Sequence, residues 1–158
     1  LQNQITAKSS ATSTTSSTTT NSSATAATNS TATADWKTYT NSTYGFQLTF
    51  TDPWEGYKVT ESKSDSNLTD AITFSMPYNN GANSFFVFSI IVLTPNQWSK
   101  VQNDRKINDG GDLDAGIYLT KNSQYVFNSA AMNGIPPTGI NLTYTDIQNV
   151  LSTFKFTQ

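Results

Sequence analysis

The densest grouping of residues able to do chemistry is Asn108-Asp109-Gly110-Gly111-Asp112-Leu113-Asp114, three carboxylates set close together on a glycine-rich stretch. Carboxylate oxygens are hard ligands suited to Ca²⁺, which makes Asp109, Asp112 and Asp114 the candidate metal ligands. Their spacing departs from that of a helix–loop–helix calcium loop. Counted from Asp109 as first ligand, the bidentate glutamate that such a loop needs at its end falls on Thr120. A solvated acidic loop, with Arg105 and Lys106 as counter-charges, is the preferred account, and no cofactor is expected.

Hydrolysis of a glycoside takes two acids held about 5–10 Å apart. Glu55 and Glu61 are the only glutamates, and with Lys58 and Lys63 around them they read as surface charges near strand ends. Gly111 and Gly116 have the spacing of a phosphate-binding loop, but Ile117-Tyr118 stand where Lys and Ser/Thr are required. A Ser-Lys dyad finds no serine singled out among so many. The chain contains no His and no Cys. That removes Ser-His-Asp and Cys-His catalysis, imidazole or thiolate zinc sites, and Cys-ligated iron–sulfur clusters. With a net charge of −2 and no basic block, neutralisation of nucleic-acid phosphates is not expected either.

The elements that would position such residues begin late in the chain. From Ser9 to Ala34, 18 of 26 residues are Ser or Thr and the rest are Ala or Asn, while every aromatic lies between Trp36 and Phe156. A segment without apolar area cannot offset backbone ordering of about 1–2 kcal/mol per residue. The expected organisation is therefore a disordered Ser/Thr-rich spacer over 1–34 and one globular domain over 35–158. No run of about 18 apolar residues is present to span a bilayer. The first residue, Leu1, suggests a signal or anchor segment removed upstream, so the expected location is extracytoplasmic, secreted or cell-surface anchored. Membrane contact would come only through an anchor outside this chain. Five Asn-x-Ser/Thr sequons, at Asn21, Asn29, Asn41, Asn67 and Asn141, are no more than the composition supplies.

Within the domain, period-two alternation predicts strands over Gly45–Phe50, Tyr57–Glu61 and Ala71–Met76. Ser84–Leu93, the most apolar segment, predicts a central strand, and Ile117–Leu119 and Gln124–Phe127 two more. Asn41-Ser42-Thr43 reads as a turn. Thr94-Pro95 reads as an N-cap with Pro at the first helical position, opening a helix through about Asn103. A second helix is capped by Thr143 or Thr145, with Ile147, Val150, Leu151 and Phe154 on one face, the alternative being that Phe154-Lys155-Phe156 alternates as a short last strand. Phe46, Leu48, Phe50, Phe74, Phe86, Phe88, Ile90 and Val92 are the expected core. Phe85, Val87 and Ile91 then face the other side of the central strand, which predicts helices on both faces. Trp36, Tyr39, Tyr44, Trp54, Tyr57, Tyr78 and Trp98 could form a stacking platform, but so small a domain needs them in its core.

Two ends of the domain carry a resemblance. Trp36-Lys37-Thr38-Tyr39-Thr40-Asn41, Tyr44-Gly45-Phe46-Gln47-Leu48-Thr49-Phe50 and Pro53-Trp54 open it, and Ile147-Gln148-Asn149-Val150-Leu151-Ser152-Thr153-Phe154-Lys155-Phe156 close it. These resemble the opening and closing motifs of PsbP-like proteins, and Gln124-Tyr125-Val126-Phe127 is similar to the strand before that family's last helix. In that family the Pro follows the second strand directly, whereas here Thr51-Asp52 intervene. The resemblance implies an α+β fold, a three-layer α/β/α sandwich around a mainly antiparallel sheet. It also implies a non-catalytic binding or assembly role, with another protein or surface component as partner. The matched positions are core-building Trp, Tyr, Gly, Phe and Pro, so no catalytic residue carries over. The rival expectations are an extracytoplasmic hydrolase using carboxylates or a Ser-Lys pair, and a structural subunit of a surface appendage.

Overall fold

A computed structural model describes residues 36–63, 70–107 and 116–157. The described residues form two antiparallel sheets, two α-helices and one 3₁₀ turn. The smaller sheet has the order β1-β2-β8, with β1 at Thr38–Asn41, β2 at Phe46–Thr49 and β8 at Lys155–Phe156. The larger has the order β3-β4-β5-β7-β6. Its strands are β3 (Lys58–Ser62), β4 (Asp70–Tyr78), β5 (Asn83–Leu93), β6 (Ile117–Lys121) and β7 (Val126–Ala131). The expected α/β/α sandwich is not what forms. β1 pairs with β2, and β2 with β8, instead of entering the central sheet, so a second sheet, joined by one short helix, covers its inner face.

Aromatic packing shows how the two sheets meet. Tyr39 of β1 sits edge-on to Phe74 of β4, with ring centroids 5.1 Å apart, and Phe46 of β2 meets Phe127 of β7 at 5.7 Å. Phe74 stacks on Phe88 at 4.5 Å, and the Asp52–Trp54 3₁₀ turn drops Trp54 edge-on to Phe88 at 5.5 Å. Trp54 is fully buried. Of the platform aromatics, Trp36, Tyr39, Tyr57 and Tyr78 pack against this cluster, while Tyr44 and Trp54 are buried within it, as a core assignment requires.

The helices start where their caps dictate. α1 (Pro95–Ile107) has Pro at its first position. Thr94 Oγ1 accepts from the Gln97 N–H at 3.3 Å and Gln97 Oε1 accepts from the Thr94 N–H at 2.7 Å, a reciprocal capping box. Thr143 and Asp146 do the same for α2 (Tyr144–Ser152), which buries Ile147, Val150 and Leu151. α1 runs four residues beyond the expected end at Asn103. Its Trp98 and Val101 pack against the cluster of Ile91, Leu93, Val126 and Ala130, so among the described residues α1 caps one end of the outer face of the large sheet.

A bulge corrects the expected core. Phe74 pairs with Phe88, but Ser75 pairs with Phe86, so Val87 is an extra residue on β5. An extra residue inverts the alternation beyond it. Val87 is therefore fully buried and Phe86, expected inside, is 42 % exposed. Phe85 moves to the inner face and packs against the main cluster.

Candidate functional site

Asp109, Asp112 and Asp114 lie outside the described residues. Among the described residues, no group of three or more Asp or Glu side chains could hold a metal ion. Glu55 is exposed where the 3₁₀ turn ends, and Glu61 lies near the far end of β3, so the two do not form a joint site.

Glu61 is instead part of a polar network between the sheets. The Tyr39 phenol donates to Glu61 Oε1 at 3.0 Å, and Asn41 Nδ2 stands 2.9 Å from both Glu61 Oε1 and the Tyr39 oxygen. Asn41 is not in a turn but ends β1, and its Oδ1 accepts the Tyr44 N–H at 3.0 Å. The turn that follows closes with the Gly45 N–H donating to the Asn41 carbonyl at 2.9 Å, Gly45 taking a φ of 68°. This places Tyr44 so that its hydroxyl donates to Asp70, the first residue of β4, with the Tyr125 ring edge-on at 5.3 Å.

The electrostatics of this cluster set its chemistry. Burial above all, reinforced by the Glu61 carboxylate, pushes the Tyr39 phenol well above the ordinary tyrosine range. The amide donated by Asn41 opposes that shift. Burial and the Asp70 carboxylate do the same to Tyr44. Both phenols therefore stay protonated and act as donors that hold two carboxylates, not as nucleophiles or bases. In the sequence Asn41 reads only as a turn residue and a sequon, and nothing marks Asp70. The signal for the first was the i, i+2 spacing of Tyr39 and Asn41, which puts both on one face of a strand.

On the opposite side of the molecule the layers end differently. β8 reaches β7, with Phe156 5.7 Å and Phe154 5.3 Å from Phe127. β6 lies beyond β7 as the outermost strand of the large sheet. Leu119 is bulged out of its register, Thr120 facing Phe127 and Tyr118 facing Asn128. Ile117 is 69 % and Tyr118 45 % exposed on successive positions, hence on alternate faces, and the Tyr118 ring lies 5.7 Å from Trp98 of α1. Edge strands are usually short, charged or covered. β3 carries Lys58 and Glu61, and β8 has two residues including Lys155. Among the described edge strands, β6 alone presents two large apolar side chains in succession and no charge before Lys121.

No protein-family model matches the chain, and comparisons with curated proteins and with solved structures return no match.

Proposed function

We propose that the domain is a non-catalytic extracytoplasmic binding or assembly module, held at a cell surface by the Ser/Thr-rich spacer over 1–34. Its partner is a protein or surface component that offers an extended segment to the outer edge of β6. The exposed pair Ile117 and Tyr118 carries this reading. An added strand would gain main-chain hydrogen bonds from the edge, and its alternate side chains would meet Ile117 on one face and the Tyr118–Trp98 pair on the other. The likeness to PsbP-like proteins rests on sequence motifs alone, and the α/β/α sandwich it implies does not form, so the reading rests on the edge of β6. A hydrolytic role gains less support, because Glu61 and Asp70 are engaged by phenol and amide donors. The reading requires no cofactor, no nucleic acid, and no membrane contact beyond an anchor outside this chain.

The test is binding of the purified chain to envelope fractions of the cells that produce it, compared with the variant Ile117→Lys/Tyr118→Lys. Both positions are exposed, so the variant should keep its thermal stability while binding falls at least about tenfold, the equivalent of about 1.4 kcal/mol. Undiminished binding by the variant would overturn the assignment to β6. Concentration-dependent dimerisation lost in the variant would favour the structural-subunit reading, with a second copy on the same edge.

A further inference from the structure

Two Asn-Gly pairs occur in the chain, Asn80-Gly81 and Asn133-Gly134. In an unfolded chain both are open to the same reaction, since glycine offers the following amide nitrogen the least steric protection. The fold treats them differently. Asn80 and Gly81 form the tip of the β4–β5 hairpin, where Asn79, Asn80 and Gly81 have φ values of 52°, 57° and 84°. The Gly81 N–H donates to the Tyr78 carbonyl at 3.1 Å and the Ala82 N–H to the Asn79 carbonyl at 3.1 Å. The nitrogen that would have to attack is thus committed as a donor inside a closed turn.

Asn133-Gly134 lies in the segment between β7 and α2. The Met132 N–H is tied to the Val87 carbonyl at 2.7 Å, and Ile140, donating to the Pro137 carbonyl at 3.0 Å, is buried. Between these anchors Asn133 and Gly134 are exposed, and Ile135 is 94 % exposed. Among the described residues the Gly134 N–H donates to no acceptor, and a β-carbon at Gly134 would meet nothing within 4 Å.

We propose that Asn133 is a site of spontaneous covalent modification, converting to an aspartyl or isoaspartyl residue in the folded protein, while the hairpin protects Asn80. The Gly134 nitrogen gives up its proton to solvent and attacks Asn133 Cγ. The N–Cγ bond forms, the Cγ–Nδ2 bond breaks, and Nδ2 takes up a proton and leaves as ammonia. Water then opens the resulting succinimide at either carbonyl. No electron is exchanged. The product adds one negative charge to a chain of net charge −2. In its isoaspartyl form it also adds a methylene to the backbone between the two anchored points.

The experiment is peptide mapping by mass spectrometry after incubation of the full chain in mildly alkaline buffer, with isoaspartyl and aspartyl products separated by chromatography. In the folded protein, conversion at position 133 should exceed that at position 80 several-fold, and in denaturant the two should proceed alike. Gly134→Ala, for which the loop has room, should slow conversion at 133 and leave 80 unchanged. Equal rates in the folded protein, faster conversion at 80, or a preference for 133 that persists undiminished in denaturant would each overturn the proposal.

Discussion

The Tyr39 phenol donates to Glu61 at 3.0 Å, and in doing so ties the edge strand of the small sheet to the edge strand of the large one. Twenty-two residues separate the partners, and Asn41 bridges them. On this side the two sheets are laced together by side chains, whereas on the other the edge of β6 stands uncovered by any described strand.

Tyr39→Phe and Glu61→Gln should each lower stability by about 1–2 kcal/mol, the usual cost of losing a hydrogen bond to a charged group at a half-buried site. The double variant should fall short of the sum by roughly 1 kcal/mol. Urea unfolding of the four proteins measures this directly, and strict additivity would mean the contact adds nothing.

The phenols also set a pH dependence. Burial and the neighbouring carboxylates raise both above the ordinary tyrosine value, so the unfolded chain loses these protons first. Their contribution is fully present below about pH 10, the unfolded tyrosine value, and is lost as pH rises above it. The slope is at most about 1.4 kcal/mol per pH unit for each phenol. Tyr39→Phe should flatten the alkaline limb of the stability curve.

The bulge on β5 predicts an inversion of mutational cost. Val87→Ala, at a fully buried position, should cost about 2–3 kcal/mol. Phe86→Ser, at the larger but exposed side chain, should cost less than about 1 kcal/mol. Unfolding midpoints in the reverse order would place the bulge elsewhere.

Gly116, immediately before β6, has a φ of 66°, and a β-carbon there would lie 2.7 Å from the Ser129 carbonyl oxygen and 3.0 Å from Ile91 Cδ1. Gly116→Ala should therefore cost about 2 kcal/mol or more, combining the left-handed backbone penalty with a contact that backbone cannot relieve. Hydrogen exchange should show the loss first in the β6 amides.

Calcium addition should leave the melting temperature unchanged. A site on Asp109, Asp112 and Asp114 filled at ten times its Kd would instead add roughly 1.4 kcal/mol. A shift abolished by Asp109→Asn with Asp112→Asn would establish that loop as a metal site.

Much of the local structure was legible. Thr94-Pro95 and the Thr143–Asp146 box mark helix starts through interactions spanning three residues, and Phe46, Leu48 and Phe50 announce an inward face by alternation alone. What escaped was long-range. Nothing within β5 marks Val87 as the extra residue, because a run in which both parities are apolar reads equally well in either register. The Asn41–Glu61 and Tyr44–Asp70 contacts span 20 and 26 residues and are fixed by how two sheets stack. The division into two sheets was hidden for the same reason, since alternation shows that a strand has a buried face but not which neighbour buries it.

The register of the small sheet has a mechanical consequence. β1 and β8 flank β2 and run parallel to each other, with Thr38 opposite Thr49 at one end and Phe156 opposite Phe46 at the other. A pull applied between residues 38 and 156 therefore acts along the strands. It loads each ladder in shear, all bonds together, instead of peeling them singly. The two ladders are unequal, four residue pairs joining β1 to β2 and two joining β2 to β8. Under tension the shorter one should yield first, lifting Phe154 and Phe156 off Phe127 while the β1–β2 hairpin stays closed.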